Sequence, residues 1–195
     1  MESSSLVLQK GPRHFLPEEF VVESWEQIKP YYDSLLDREI YSPETLKQWL
    51  KQRSELESVL SEDMGWRYIK MTTDTTNEAY LDRFNFFISQ IEPNIAPLNN
   101  QLNEKVLSNP FLPEICKEPG YEIMVRSIKK DLKIFRDINI PLNTEIQQLT
   151  QKYGAISGDM TVVVEGKELT LQQASVLLQS QDRELREKVY LQISE

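Results

Sequence analysis

The sequence predicts a mainly α-helical fold: a multi-helix, bundle-like lobe with one β-hairpin near residues 160–170. Apolar residues recur every three or four positions through most of the chain, which is the spacing of helices that bury one face. Side chains that cap helix starts stand before several of these runs. β-branched residues cluster in one place, Thr161–Val164, ahead of a Glu-Gly pair, and this pattern indicates a hairpin.

Length and composition indicate a folded, acidic, cytoplasmic protein. The chain has 195 residues, enough for one sizeable core, with 39% hydrophobic and 27% charged residues. Its net charge of −9 and the lack of a basic stripe argue against nucleic acid and anionic membranes as partners. The single cysteine, Cys116, fits a reducing compartment. No apolar run approaches the roughly 20 residues that span a bilayer, and the first residues lack a secretory signal pattern.

The first third of the chain predicts an arm and two helices. Residues 1–20 show no periodicity and predict an extended N-terminal arm. A capping-box pattern starts a helix at Ser24, and Pro30 predicts a break soon after. A hydroxyl followed by proline starts a longer helix at Ser42; this helix is expected to reach at least Asp63, and its pattern also allows a continuation to Lys70.

The middle of the chain predicts further helices separated by prolines and polar turns. Residues 74–77 form a polar turn that caps the next helix, whose aromatic stripe includes Phe84. Pro93 and Pro97 are expected to kink or break the helix that follows. Residues 108–120 contain three prolines and predict a loop.

The last third predicts a helix, the hairpin and two short helices. Pro141 is expected to begin a helix that ends at a C-terminal cap, Gly154. Its apolar side carries Leu142, Ile146, Leu149 and Tyr153. The hairpin precedes a second capping-box pattern at Thr170, and helical periodicity still runs at Glu195, so we expect the polypeptide to continue.

These elements divide the chain into three predicted segments. They are an extended N-terminal arm (1–20), a helical N-terminal lobe (21–158), and a hairpin with helices that lead into further sequence (159–195). Because an isolated two-stranded hairpin is marginal in water and no other segment has a strand pattern, we expect its packing partner in sequence beyond residue 195.

No complete catalytic site can be assembled from the residues alone. The one histidine, His14, has no neighbouring ligands, so a solvated or packing role is expected. Cys116 lacks a histidine to activate it, and the glycines of residues 154–158 lack the pattern of a phosphate-binding loop. The aromatic residues could line a peptide groove, but their helical spacing favours the core. Asp182, Arg183 and Arg186, at a helix start, predict a structural cap or ion pair.

Several segments in order resemble one family. They are Ser24–Pro30, Trp66–Thr76, Ile91–Pro97, Ile134–Leu142, Lys152–Gly158, Thr161–Gln173 and Asp182–Arg186. Together they look like the N-terminal region of the oligoendopeptidase F group of M3 zinc metallopeptidases, and the resemblance covers nearly everything from residue 13 onward.

The resemblance implies a non-catalytic lobe of a much longer cytoplasmic enzyme that hydrolyses short peptides inside a channel. Family members hold zinc through a His-Glu-x-x-His helix in their C-terminal half, and this chain contains no such motif. We therefore expect no catalytic residue, metal ligand or cofactor here, with zinc in the full-length enzyme only. Expected partners are the C-terminal catalytic domain, short peptides and, weakly, a second copy of the chain. The alternative is a free-standing helical protein-interaction module, and the substrate-binding residues are not identified.

Overall fold

The computed structural model describes residues 13–194, and within them helices dominate and the strands form one antiparallel hairpin. The elements in chain order are α1 (Trp25–Asp37), α2 (Pro43–Thr73), α3 (Glu78–Phe86), a π-helical turn (Phe87–Ile91), α4 (Glu92–Leu107), α5 (Leu112–Ile115), α6 (Tyr121–Ile134), α7 (Asn139–Asp159), β1 (Thr161–Val164), β2 (Lys167–Thr170), α8 (Leu171–Leu177) and α9 (Arg183–Ser194). The predicted mainly α fold with one hairpin is confirmed.

The predicted helix starts at Ser24, Ser42 and Thr170 are confirmed. The Gln27 side chain accepts a hydrogen bond from the backbone N–H of Ser24 at 3.3 Å. The Ser42 hydroxyl accepts one from the N–H of Thr45 at 3.2 Å, ahead of a proline in the first turn of α2. Each cap supplies a partner to a backbone group that the helix itself leaves unpaired, and so fixes where the helix begins.

The predicted breaks at Pro30 and Gly154 are wrong, and of the two outcomes predicted for Pro97, a kink or a break, the break does not occur. Pro30 lies inside α1 and Pro97 inside α4, while Gly154 lies inside α7, which continues to Asp159. In α1 the neighbouring side chains of Ile28 and Tyr32 are fully buried, so packing outweighs the lost backbone hydrogen bond. A glycine within a helix costs only about 1 kcal/mol, which a long helix tolerates.

The main core lies where α1, α2, α4, α5 and α6 meet. Its fully buried members include Ile28, Tyr32, Leu35, Leu46, Trp49, Leu56, Ile91, Leu102, Val106 and Ile115. The indole N–H of Trp49 donates to the carbonyl of Leu35 at 2.9 Å. The ammonium group of Lys105, on α4, donates hydrogen bonds to the carbonyls of Leu35, Leu36 and Arg38. It thus supplies donors to carbonyl groups that α1 leaves unpaired at its C-terminal end.

Residues 13–20 form neither helix nor strand, and the rest of the predicted arm, residues 1–12, lies outside the described residues. This stretch is attached to α2 through the carboxylate of Glu55. That carboxylate accepts hydrogen bonds from the backbone N–H groups of His14, Phe15 and Leu16 at 2.8–3.1 Å. Leu16 is buried against the main core as a result.

The hairpin packs on helices of this same chain, which corrects the expectation that its partner lies beyond residue 195. Val164, Ala174 and Val189 form the centre of a separate small core between the hairpin, α8 and α9. Thr161 pairs with Thr170 and Val164 with Lys167. The turn residues Glu165 and Gly166 both have positive φ, 52° and 76°, as the tight hairpin turn requires. None of the helices in the described part of the chain has the length and hydropathy needed to cross a bilayer.

Candidate functional site

Two of the three residues singled out at the start of α9, Asp182 and Arg186, make structural contacts. The Asp182 carboxylate accepts hydrogen bonds from the backbone N–H groups of Glu184 and Leu185, at 2.9 and 3.3 Å. Arg186 donates from Nη1 to the carbonyl of Ser180 at 2.6 Å, and Arg183 is exposed. Asp182 therefore acts as a helix cap, while Arg186 fixes the preceding loop.

The residues that could hold a metal do not fit a zinc peptidase centre. Such a centre needs two histidines and further ligands, and the chain has only His14. His14 is exposed, and Cys116 is partly buried against the main core. Within residues 13–194, no group of three or more His, Cys, Asp or Glu side chains is placed to bind a metal ion.

Three adjoining concavities are the candidate site. The polar cleft, of about 560 Å³, lies between α2, α4 and α6. The α7 cleft, of about 530 Å³, lies between α4, α6 and α7, and it shares Ala96, Asp131 and Phe135 with the polar cleft. The apolar pocket, of about 360 Å³, lies between α2, α3 and α7 and shares Gln147 with the α7 cleft. The concavities therefore adjoin one another through these shared wall residues.

An ion pair between the buried Arg53 and the partly exposed Glu57 lines the polar cleft. Arg53 is only 8% exposed, and it donates from Nε to Glu57 and from Nη2 to the side-chain oxygen of Asn103, both at 2.7 Å. The pair is neutral overall, and Asp131 adds a carboxylate to the same wall. The cleft therefore offers hydrogen-bonding groups without a surplus of positive charge, which favours uncharged polar groups over anions.

Tyr32 lies in the core beside this ion pair. Burial, together with the nearby Glu57 carboxylate, raises the pKa of the Tyr32 hydroxyl above its usual value, against smaller opposing effects of Arg53 and Asn99. The hydroxyl consequently stays protonated at physiological pH. Tyr32 is fully buried and does not line the cleft, so hydrogen bonding to a ligand would come from wall residues such as Asn100 and Ser127.

The apolar pocket has a different chemistry. Met64, Tyr68, Met71 and Phe84 line one side, and Gly154, Ala155 and Gly158 of α7 line the other. A methyl group built on Gly154 would meet nothing within 4 Å, so the helix leaves open space there. A pocket of this size and lining fits a single large apolar side chain.

The sequence analysis missed Arg53, although a signal was present. Trp49, Arg53 and Leu56 follow the same three-to-four spacing, which places a charged residue on the buried face of α2. The expectation that aromatic residues enter the core holds for Trp49, Phe84 and Phe87, which are buried. Trp66 is 56% exposed and belongs to the surface.

Comparisons with known proteins agree with this architecture. A family model described as the peptidase M3 N-terminal domain matches residues 15–135. A 3.1 Å X-ray structure assigned as oligoendopeptidase F has a TM-score of 0.80 at 22% identity, over 90% of this chain and 31% of that one. A structure of PZ peptidase A with an inhibitor has a TM-score of 0.78 at 23% identity, over 89% of this chain and 31% of that one. The chain thus spans about a third of the length of these solved structures, whose likeness is one of fold. No curated protein matches it.

Proposed function

Since the chain belongs to the M3 peptidase family, we propose that it is the non-catalytic N-terminal lobe of a cytoplasmic, zinc-dependent oligoendopeptidase and forms one wall of its peptide channel. The match of the N-terminal domain model to residues 15–135 carries this proposal, because those residues include α1–α6 and the main core. The solved relatives are about three times longer than the part that this chain matches, which leaves room for a catalytic region.

The three adjoining concavities support the role of channel wall. A peptide wall needs groups that bind backbone amides and spaces that accept side chains, and it needs no catalytic residue. The polar cleft offers amides and a neutral ion pair, and the apolar pocket offers space for an apolar side chain. Zinc binding and hydrolysis are assigned to the remainder of the longer polypeptide, because this chain lacks the histidines for them.

The test uses the longer polypeptide and a bulky substitution in the polar cleft. Ser127 is an exposed residue of α6 that lines this cleft, so Ser127→Trp should fill it without disturbing the core. If the cleft binds substrate, KM for a quenched fluorescent short peptide should rise about tenfold with little change in kcat.

Lys129→Trp is the matched control. Lys129 is exposed on the same helix and does not line any of the three concavities, so this variant should keep the parent KM. Hydrolysis should also stop when a chelator removes the metal. Equal KM values for the parent and Ser127→Trp would contradict the wall assignment, and a longer polypeptide that hydrolyses no short peptide would contradict the proposed activity.

A further inference from the structure

Helix α7 presents its apolar side to solvent. Seven large side chains on α7 and its two flanking residues are between 50% and 75% exposed. They are Ile138, Leu142, Ile146, Leu149, Tyr153, Ile156 and Met160. Successive members are three or four residues apart, so they form a continuous stripe along one side of the helix. We call this stripe the α7 face.

The opposite side of α7, which meets the lobe, is polar or small apart from Ile140. Gln147 donates a hydrogen bond to Glu92 of α4 at 2.7 Å, and the Thr144 hydroxyl donates to the carbonyl of Ile88 at 3.4 Å. Ala155 and Gly158 line the apolar pocket. None of the residues of α7 is buried. The usual orientation of an amphipathic helix is thus reversed, which is unfavourable unless another surface covers the apolar side.

The size and charge of the α7 face fit a stable interface. Seven large side chains at this exposure present about 600 Å² of apolar surface, the size of the largest patch on a typical monomer and close to one side of a standard interface. The 21 residues of α7 include only three charged side chains: Glu145, Lys152 and Asp159. A face with so few charges is typical of surface that becomes buried rather than of a hydrated helix surface.

The spacing of the face is compatible with a helical partner, and helix packing builds the main core of this lobe. An extended peptide places every second side chain on one side, whereas a helix places side chains three and four apart. The α7 face has the helical spacing and so complements a second helix with the same seam. The solved relatives supply a source for it, because about two thirds of their length lies outside the part that this chain matches.

We propose that the α7 face binds an amphipathic helix from the catalytic remainder of the longer polypeptide. The proposal rests on the proposed function, since it assumes that this chain is one lobe of a longer peptidase. It assigns α7 two roles: the polar and small side closes the clefts, and the apolar side holds the two parts of the enzyme together.

Thiol labelling tests the proposal. Leu149→Cys places a thiol at the middle of the α7 face, and Tyr41→Cys places one on an equally uncovered residue (75% exposed) of the connection between α1 and α2. Each variant is made in the isolated chain at high dilution and in the longer polypeptide, and labelled with a maleimide under native conditions. Peptide mass spectrometry separates these thiols from Cys116.

We expect the Leu149→Cys thiol to react at least about tenfold more slowly in the longer polypeptide than in the isolated chain, with Tyr41→Cys unchanged. Equal labelling rates of Leu149→Cys in the isolated chain and in the longer polypeptide would overturn the docking proposal. The proposed function would still stand in that case if the longer polypeptide hydrolysed peptides. Slow labelling of the isolated chain that becomes fast on dilution would assign the face to a second copy instead. Protection that appears only when a peptide inhibitor is added would assign it to the channel. Protection in a longer polypeptide without peptidase activity would support the docking and remove the proposed function.

Discussion

The attachment of residues 13–20 to α2 through Glu55 gives a sharp prediction. One carboxylate accepts hydrogen bonds from three consecutive backbone N–H groups. Burial raises the pKa of Glu55, but the hydrogen bonds from Leu16, His14 and Phe15 outweigh it and hold the pKa below its usual value. The ionised form is therefore favoured by folding.

Replacing Glu55 with Gln measures the contribution of the charge. In Glu55→Gln, the side-chain carbonyl oxygen can still accept hydrogen bonds from the N–H groups of Phe15 and Leu16, although these bonds are now uncharged. The amide nitrogen of the new side chain would take the position of Oε2, which lies 3.0 Å from the backbone nitrogen of His14, so two donors would face each other there. Hydrogen bonds to charged groups contribute about 1.5–3 kcal/mol when buried, and Glu55 is partly exposed, so we expect a loss of about 1–2 kcal/mol. For a protein of this size, that loss lowers Tm by about 2–8 °C.

Thermal unfolding followed by circular dichroism checks this at pH 7, with Glu145→Gln on the exposed surface of α7 as the control. A carboxyl group whose pKa is lowered by folding stabilises the protein fully above its unfolded pKa of about 4.3, and the contribution is lost as the pH falls through the folded value. The difference in Tm between the parent and Glu55→Gln should therefore shrink below about pH 4. A Tm within about 1 °C of the parent at pH 7 would refute the reasoning.

Three further predictions concern the hairpin turn, the hydrogen bond between Arg53 and Asn103, and self-association of the chain. Gly166 has φ 76°, a conformation that is unfavourable for a residue with a Cβ atom, so Gly166→Ala should destabilise the hairpin by about 1 kcal/mol. Amide hydrogen exchange in the two strands should become about fivefold faster, and unchanged exchange would contradict the prediction. Asn103→Ala removes the acceptor of Arg53 Nη2 and should lower the free energy of unfolding by about 1–3 kcal/mol in urea, and a smaller loss would mean that another acceptor replaces it. Light scattering of the isolated chain at high concentration should give a mass above the monomer mass of 22.9 kDa, because the exposed apolar residues of α7 associate. Ile146→Asp should restore the monomer mass. A mass of 22.9 kDa for the parent at every concentration would exclude self-association.

Local signals predicted most of the elements. The starts at Ser42 and Thr170 follow from caps that act within three residues, and the turn at Glu165 follows from a backbone conformation that few residue pairs adopt. The same local signals gave wrong breaks at Pro30 and Gly154, because burial of the surrounding side chains decides whether a helix continues there.

What the sequence could not predict depends on how the elements pack on one another. The helical pattern around Leu149 predicted an apolar side for α7 but not that this side faces away from the lobe. The valines of β1 predicted a strand but not its packing on α8 and α9, which are adjacent in sequence and supply the small core. The polar cleft needed α2, α4 and α6 together, since Arg53 and Asn103 are 50 residues apart.

The assignment of this chain as a non-catalytic lobe is tested most directly by one measurement: the rate at which a quenched fluorescent short peptide is hydrolysed by the isolated chain and by the longer polypeptide at equal concentration. We predict hydrolysis by the longer polypeptide and no rate above buffer for the isolated chain, because the chain has one histidine and no His-Glu-x-x-His helix. Hydrolysis by the isolated chain, or none by the longer polypeptide, would contradict the assignment.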